Sequence, residues 1–152
     1  MTTMEFVPYL SVRNAKEAVA FYSRVLETEP TNLLTMPDGR VMHVEFHCGG
    51  ARIYLSEELP EHGGTPSPST LGATTVAIHL YVEDCDAMVA HMKSQGAEIV
   101  MEPPDMFRGE RFARVRDPFG HEWGKTTRLL DLAQVEILAA AERLFESMAD
   151  WR

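Results

Sequence analysis

Cysteine is scarce in this chain of 152 residues. Cys48 and Cys85 lie far apart and outside any Cys-x-x-Cys spacing, so they read as reduced structural thiols rather than a disulfide framework or a redox pair. Long apolar runs are absent too, and no segment approaches the ~20 residues that a helical membrane span requires. The opening Met1-Thr2-Thr3-Met4-Glu5 has neither a basic stretch nor an apolar one, so no secretory signal is expected. Positive charge is in deficit: the formal net charge is −9. Binding a nucleic-acid backbone needs a basic face, so neither nucleic acid nor membrane is an expected partner. A phosphate cradle is missing as well, because Gly49-Gly50 and Gly63-Gly64 lack the strand–helix setting of a phosphate loop. A cytoplasmic protein is expected.

What is present is a repeat. Tyr9-Leu10-Ser11-Val12 runs into a helix start at Asn14, and His79-Leu80-Tyr81-Val82 runs into another at Asp84, an offset of 70 residues. At that offset the stripe Ala18, Phe21, Tyr22, Val25 matches Met88, His91, Met92, Gln95. Asn14 with Glu17 resembles a capping box, and Gly96 supplies a stop for the second helix. Pro37-Asp38-Gly39-Arg40, Gly49-Gly50 and Asp117-Pro118-Phe119-Gly120 read as turns between short strands. Pro103-Pro104 ends a strand over 98–101. Residues 57–73, rich in Glu, Gly, Pro, Ser and Thr, read as a connection between halves.

The expected class is α+β: two tandem βαβββ modules forming an open, cleft-bearing, barrel-like sheet, plus a C-terminal helix. The expected divisions are 1–58 for the first module, 59–73 for the linker, 74–128 for the second module and 129–152 for the helix. That helix opens near Asp131 and Gln134 and carries Leu138, Ala141, Phe145 and Met148 on one stripe, expected to pack on the domain or on a second subunit.

Strand alternation sorts residues onto two faces. Leu10, Val12, Val44, Phe46, Ile53, Leu55, Val76, Ile78, Leu80, Val82 and Trp123 form the helix-facing set. The opposite face is more polar and aromatic, and its candidate ligand-binding residues are Tyr9, His43, Glu45, Arg52, Tyr54, His79, Tyr81 and Glu122. The tyrosines would stack on a planar ligand, with Arg52, Glu45 and Glu122 supplying charge and the histidines supplying hydrogen bonds. Cys85 sits just inside a helix start, where the dipole could activate a thiol, but neither cysteine has a base nearby in sequence and both read as inert.

Several stretches together are similar to the vicinal oxygen chelate superfamily of glyoxalases, bleomycin-resistance proteins and dioxygenases, most of all to its PhnB-like branch. They are Pro8-Tyr9-Leu10-Ser11-Val12, Ala20-Phe21-Tyr22, Met42-His43, Tyr81-Val82-Glu83-Asp84, Gly96-Ala97, Phe107-Arg108-Gly109-Glu110-Arg111 and Asp117-Pro118-Phe119-Gly120-His121-Glu122-Trp123. Phe107-Arg108 departs from the Trp that commonly precedes the Gly in relatives. The resemblance implies a homodimer, and it implies four strand positions that bind a divalent metal in the superfamily's enzymes. Those positions fall on Val7, Tyr54, Ala77 and Gly124, which carry no imidazole or carboxylate.

The expected function is therefore metal-independent binding, or sequestration as in antibiotic resistance, of an aromatic or amphipathic small molecule, with no catalytic residue and no cofactor. The alternative is a divergent metal-dependent lyase, isomerase or dioxygenase whose divalent ion has moved to a set such as His43, Glu45, His79 and Glu122. A third reading is an interaction module in which the terminal helix matters more than the sheet.

Overall fold

The repeat in the sequence is a repeat in the fold. A computed structural model describes residues 4–102, 105–106 and 109–149. In chain order the elements are β1 (Tyr9–Val12), α1 (Ala15–Val25), β2 (Thr31–Thr35), β3 (Val41–Cys48), β4 (Ala51–Glu57), a 3-10 turn (Pro60–His62) and α2 (Pro68–Leu71). They continue with β5 (Ala77–Tyr81), α3 (Cys85–Ser94), β6 (Glu98–Met101), β7 (Asp105–Met106), β8 (Glu110–Arg116), β9 (Glu122–Arg128) and α4 (Gln134–Ala149). One sheet has the order β1-β4-β3-β2 and the other β5-β9-β8-β6, with β7 paired to β8. In both, the first strand runs parallel to the last and the remaining pairs are antiparallel. Both sheets are open, so the fold is α+β with tandem βαβββ modules and a C-terminal helix.

The chain forms two compact units, Met1–Val76 with Asp117–His121, and Ala77–Arg116 with Glu122–Arg152. In the first, α1 buries Ala15, Ala18, Phe21, Tyr22 and Val25 against a sheet face of Leu10, Val44, Phe46, Ile53 and Leu55. In the second, Cys85, Val89 and Met92 of α3 join Ala113, Val115 and Trp123 in the buried set. Each fully buried aliphatic or aromatic side chain contributes about 1.5–3 kcal/mol, so these faces carry the stability of both units. Alternation thus placed the helix-facing set correctly on β1, β3, β4 and β9. On β5 it is weaker: Ile78 and Leu80 are half-buried and Val76, just before the strand, is exposed.

The capping arrangement differs from the expected one. The Asn14 side chain accepts from Glu17 N at 3.4 Å, but the first helical N–H groups are taken from afar. The Glu57 carboxylate, at the end of β4, accepts from Asn14 N and Ala15 N, each at 2.8 Å. The same job in the second unit falls to Thr127, 70 residues on, whose hydroxyl accepts from Cys85 N at 2.8 Å and donates to Val82 O at 3.0 Å. Carboxylates suit a helix N-terminus because they meet both orphan donors and the dipole. Glu57→Ala is expected to cost about 1–2 kcal/mol in urea denaturation, as loss of an N-cap does.

Three further boundaries moved. The first strand starts at Tyr9 rather than Glu5, since Pro8 has no N–H for a ladder and instead accepts from Tyr54 N at 2.9 Å. The connection at 57–73 is ordered, not plain linker: Glu58 accepts from Ser67 N at 2.7 Å and from the Thr70 hydroxyl at 2.7 Å, which holds the start of α2. Finally α4 begins at Gln134, with Glu136 accepting from Ala133 N at 2.7 Å. Its stripe is uncovered in this chain, with Leu138, Phe145 and Met148 all exposed, so it does not pack on the domain. Among the described residues no helix is long and apolar enough to cross a membrane. The Pro103-Pro104 stop lies outside the described residues.

Candidate functional site

On the first sheet, β-ladder register decides which side chains meet. Tyr54 of β4 lies between Tyr9 of β1 and Glu45 of β3, and the neighbouring pair is His47 with Arg52. Tyr9, Tyr54, Glu45 and His47 point away from α1 and form one network with His43. The Tyr9 hydroxyl is 2.9 Å from His43 Nδ1, and His43 Nε2 is 3.3 Å from Glu45 Oε1. His47 Nε2 approaches the other Glu45 oxygen at 3.5 Å, and Asn32 Nδ2 donates to Oε1 at 2.9 Å. Tyr54 closes the cluster with its ring edge-on to Tyr9 at 5.7 Å and to His43 at 5.0 Å. Arg52 pairs with Glu5 through two hydrogen bonds, so its charge is already engaged.

Beside this network lies a pocket of about 320 Å³ lined by Tyr9, Ser11, Met42, Leu59, His62 and Thr65, among others. Tyr9 and Met42 are both 56% exposed, so a substantial apolar surface faces solvent there. The Asn32 hydrogen bond, followed by that of His43, holds the Glu45 carboxyl below the usual glutamate range against an opposing effect of burial. A folded pKa below the unfolded one stabilises above the ordinary glutamate range, and that contribution is lost as pH falls through the folded value. The Asn32 side-chain amide resonances are therefore expected to titrate with a midpoint below that of a free glutamate, and a midpoint at the ordinary value would contradict the hydrogen bond.

On the second sheet the face is built differently. His79 pairs with Gly124 and Tyr81 with Thr126 across β5 and β9. The His79 ring stacks on Phe112 at 5.8 Å with planes 10° apart, and its Nε2 lies 2.8 Å from the Thr126 hydroxyl. Arg128 sits over the Tyr81 ring at 4.7 Å. Glu122 is held by Arg116 at 2.9 Å and approached by Arg114 at 3.8 Å. This face is thus more basic than its counterpart.

The residues present do not fit the metal that the fold family's enzymes carry. Val7, Ala77 and Gly124 have no donor atom, and Tyr54 packs edge-on in the aromatic cluster. The alternative set fares no better: His43 and Glu45 bond to one another, His79 to Thr126, and Glu122 to arginine. Among the described residues no three His, Cys, Asp or Glu side chains form a group that could hold a metal ion. Cys85 is buried, donates to Lys125 O at 3.3 Å, and burial pushes its thiol pKa up, which makes it inert.

Sequence patterning missed Asn32 and Phe112, and it left His47 out of the candidate set. Asn32 has φ 49° beside a bulge in an edge strand, and neither of these is visible as periodicity. His47 was legible, being four residues from His43 on the same strand face. Lys125 was also missed; it is fully buried on the helix side with Nζ 4.6 Å from the Trp123 ring centre. Phe107 and Arg108, where the resemblance departs from its relatives, lie outside the described residues.

Two βαβββ modules, each with a polar, aromatic sheet face opposite its helix, define the fold class. The chain belongs to the Glyoxalase/Bleomycin resistance protein/Dioxygenase superfamily, whose sequence model matches residues 4–124. An uncharacterized Mycobacterium tuberculosis protein, Rv0887c, is 33% identical over 135 residues, covering 88% of this chain and 79% of its own length. Among solved structures, protein PA1353 from Pseudomonas aeruginosa shares the fold with a TM-score of 0.67 at 22% identity, covering 83% of this chain and 98% of that one. A glyoxalase/bleomycin resistance protein/dioxygenase family enzyme from Burkholderia phytofirmans does so at 0.64 and 15% identity, covering 81% and 97%.

Proposed function

We propose that this protein binds an aromatic or amphipathic small molecule without a metal, on the tyrosine–histidine face of its first unit. The observation that carries the reading is the cluster of Tyr9, Tyr54 and His43 beside an open pocket, on a fold whose metal positions, as the family resemblance places them, carry no imidazole or carboxylate. Aromatic side chains offer large contact area with few rotamers to freeze, and planar ligands stack on them for about 0.5–1.5 kcal/mol per pair. Sequestration of such a ligand, as in the bleomycin-resistance proteins of the superfamily, needs affinity alone. A PhnB-like affiliation rests on the Asp117 to Trp123 stretch, and a homodimeric assembly on the family resemblance.

The test has two parts. Untagged protein purified without chelator is expected to carry less than about a tenth of an equivalent of transition metal, unchanged after adding zinc, manganese, nickel or iron. A thermal-shift screen of planar aromatic compounds should then yield a ligand whose affinity falls about tenfold in Tyr54→Ala, the loss of one ring contact. Near-stoichiometric metal removed by His43→Ala would sink the reading.

A further inference from the structure

The network on the first sheet has a direction. A carboxylate only accepts hydrogen bonds, so His43 turns a protonated Nε2 toward Glu45 and leaves Nδ1 as the acceptor for the Tyr9 hydroxyl. Asn32 fixes the Glu45 carboxylate from β2, His47 faces it from β3, and Tyr54 braces both the Tyr9 and the His43 ring from β4. Arg52 is drawn off by Glu5, and among the described residues the cationic side chains within ion-pair distance of Glu45 are the imidazoles of His43 and His47. Carboxylate, imidazole and hydroxyl in hydrogen-bonding order form the arrangement in which a base is oriented by one neighbour and takes a proton from another. Tyr9 is also the residue this chain of bonds shares with the pocket.

We propose that Tyr9 is a general base toward a carbon acid bound in that pocket, a metal-free proton-transfer activity that rests on the binding reading above. As the substrate C–H bond breaks, its proton passes to the Tyr9 oxygen while the hydroxyl's own proton moves to His43 Nδ1. The electron pair stays on the substrate, as an enolate when the carbon lies beside a carbonyl. The imidazolium so formed faces the Glu45 carboxylate. Return of the proton through Tyr9 to a different atom of the enolate completes a redox-neutral isomerisation with no co-reactant. Tyr9 is the catalytic residue; His43 and Glu45 act through it. Met42 and Leu59 make the pocket partly apolar, which suits a small, weakly polar carbonyl compound over a polyanion.

The experiment uses the full chain and nitrobenzisoxazole, a planar probe with a single acidic ring C–H. Its removal breaks the ring N–O bond and releases a coloured nitrophenolate. Saturable turnover above buffer is expected, with a loss of about 100-fold in Tyr9→Phe, within the range ascribed to a positioned base. Tyr9 is an exposed residue and Phe preserves its ring, so the variant should fold; a melting curve checks this. Glu45→Gln keeps an acceptor for His43 but removes the charge facing the imidazolium, so it should lower kcat about tenfold with KM and the melting curve unchanged, whereas a purely structural Glu45 would move the melting curve as well. Turnover no greater than buffer, or turnover retained in Tyr9→Phe, overturns the relay. Equilibrium dialysis separates the two readings: probe bound but not turned over sinks the relay and leaves the binding reading standing, while no saturable binding sinks both.

Discussion

Asp117→Ala is expected to destabilise the chain by about 3–5 kcal/mol in urea denaturation, although the residue takes no part in the site. Asp117 is 4% exposed, and its carboxylate accepts hydrogen bonds from within the first unit. One oxygen accepts from Phe119 N at 2.9 Å and His121 N at 3.0 Å. The other accepts a very short bond from the hydroxyl of Tyr22, itself 1% exposed. Alanine leaves these donors facing a buried gap, at about 1–3 kcal/mol for each that water cannot reach. Tyr22→Phe removes only one partner and should cost about 1–2 kcal/mol. The contrast matters because Asp117-Pro118-Phe119-Gly120 is the most conspicuous motif in the sequence and invites a catalytic reading. A stability loss without a matching change in ligand affinity would place it among the structural turns, where Pro and Gly set the backbone and Asp ties it down. An Asp117→Ala chain that kept its urea midpoint would refute this account.

Much of the fold was legible because its signals are local and repeated. Tyr9–Val12 and Ala77–Tyr81 alternate, each precedes a helix cap at Asn14 or Asp84, and the offset of 70 residues holds from those caps to Glu57 and Thr127. What stayed hidden was every interaction set by register between strands. Glu57 looks like a strand-end carboxylate until β4 is laid beside β1 and its side chain reaches the first turn of α1. Asn32 cannot be tied to Glu45 without knowing that Thr31 pairs with Glu45 across a bulge. Alternation gave the face of Tyr9, His43 and Glu45, but not their order in a hydrogen-bonded line, because period two places residues on a side and says nothing of their cross-strand neighbours. The composition of 57–73 marks a connection but hides its internal bonds for a related reason: only the fold shows Glu58 bonded to Ser67 and Thr70.

Gly124→Glu is expected to cost at least 3 kcal/mol, or about that, and to dislodge His79, while Gly124→Ala should cost about 1–3 kcal/mol. The reason is space, not backbone conformation. A Cβ at 124 would lie 2.9 Å from His79 Nδ1, closer than real Cβ contacts come, and 3.0 Å from Phe112 Cε2, tighter than most. The glycine is what lets the His79 ring lie across β9 onto Phe112 while its other nitrogen meets Thr126. The family resemblance implies a metal-donor position at this point of the strand, and any such side chain would compete with the stack for one volume. Trimming the obstacle should relieve the clash: in a His79→Ala background, Gly124→Ala should cost about 1–2 kcal/mol less than in the parent chain, a coupling that a double-mutant cycle reads directly. Additive effects would mean that the ring and the absent side chain do not share that space. Coupled effects would show that the His79 ring and a side chain at 124 compete for one volume, so a carboxylate placed at 124 alone would have to displace the ring from Phe112.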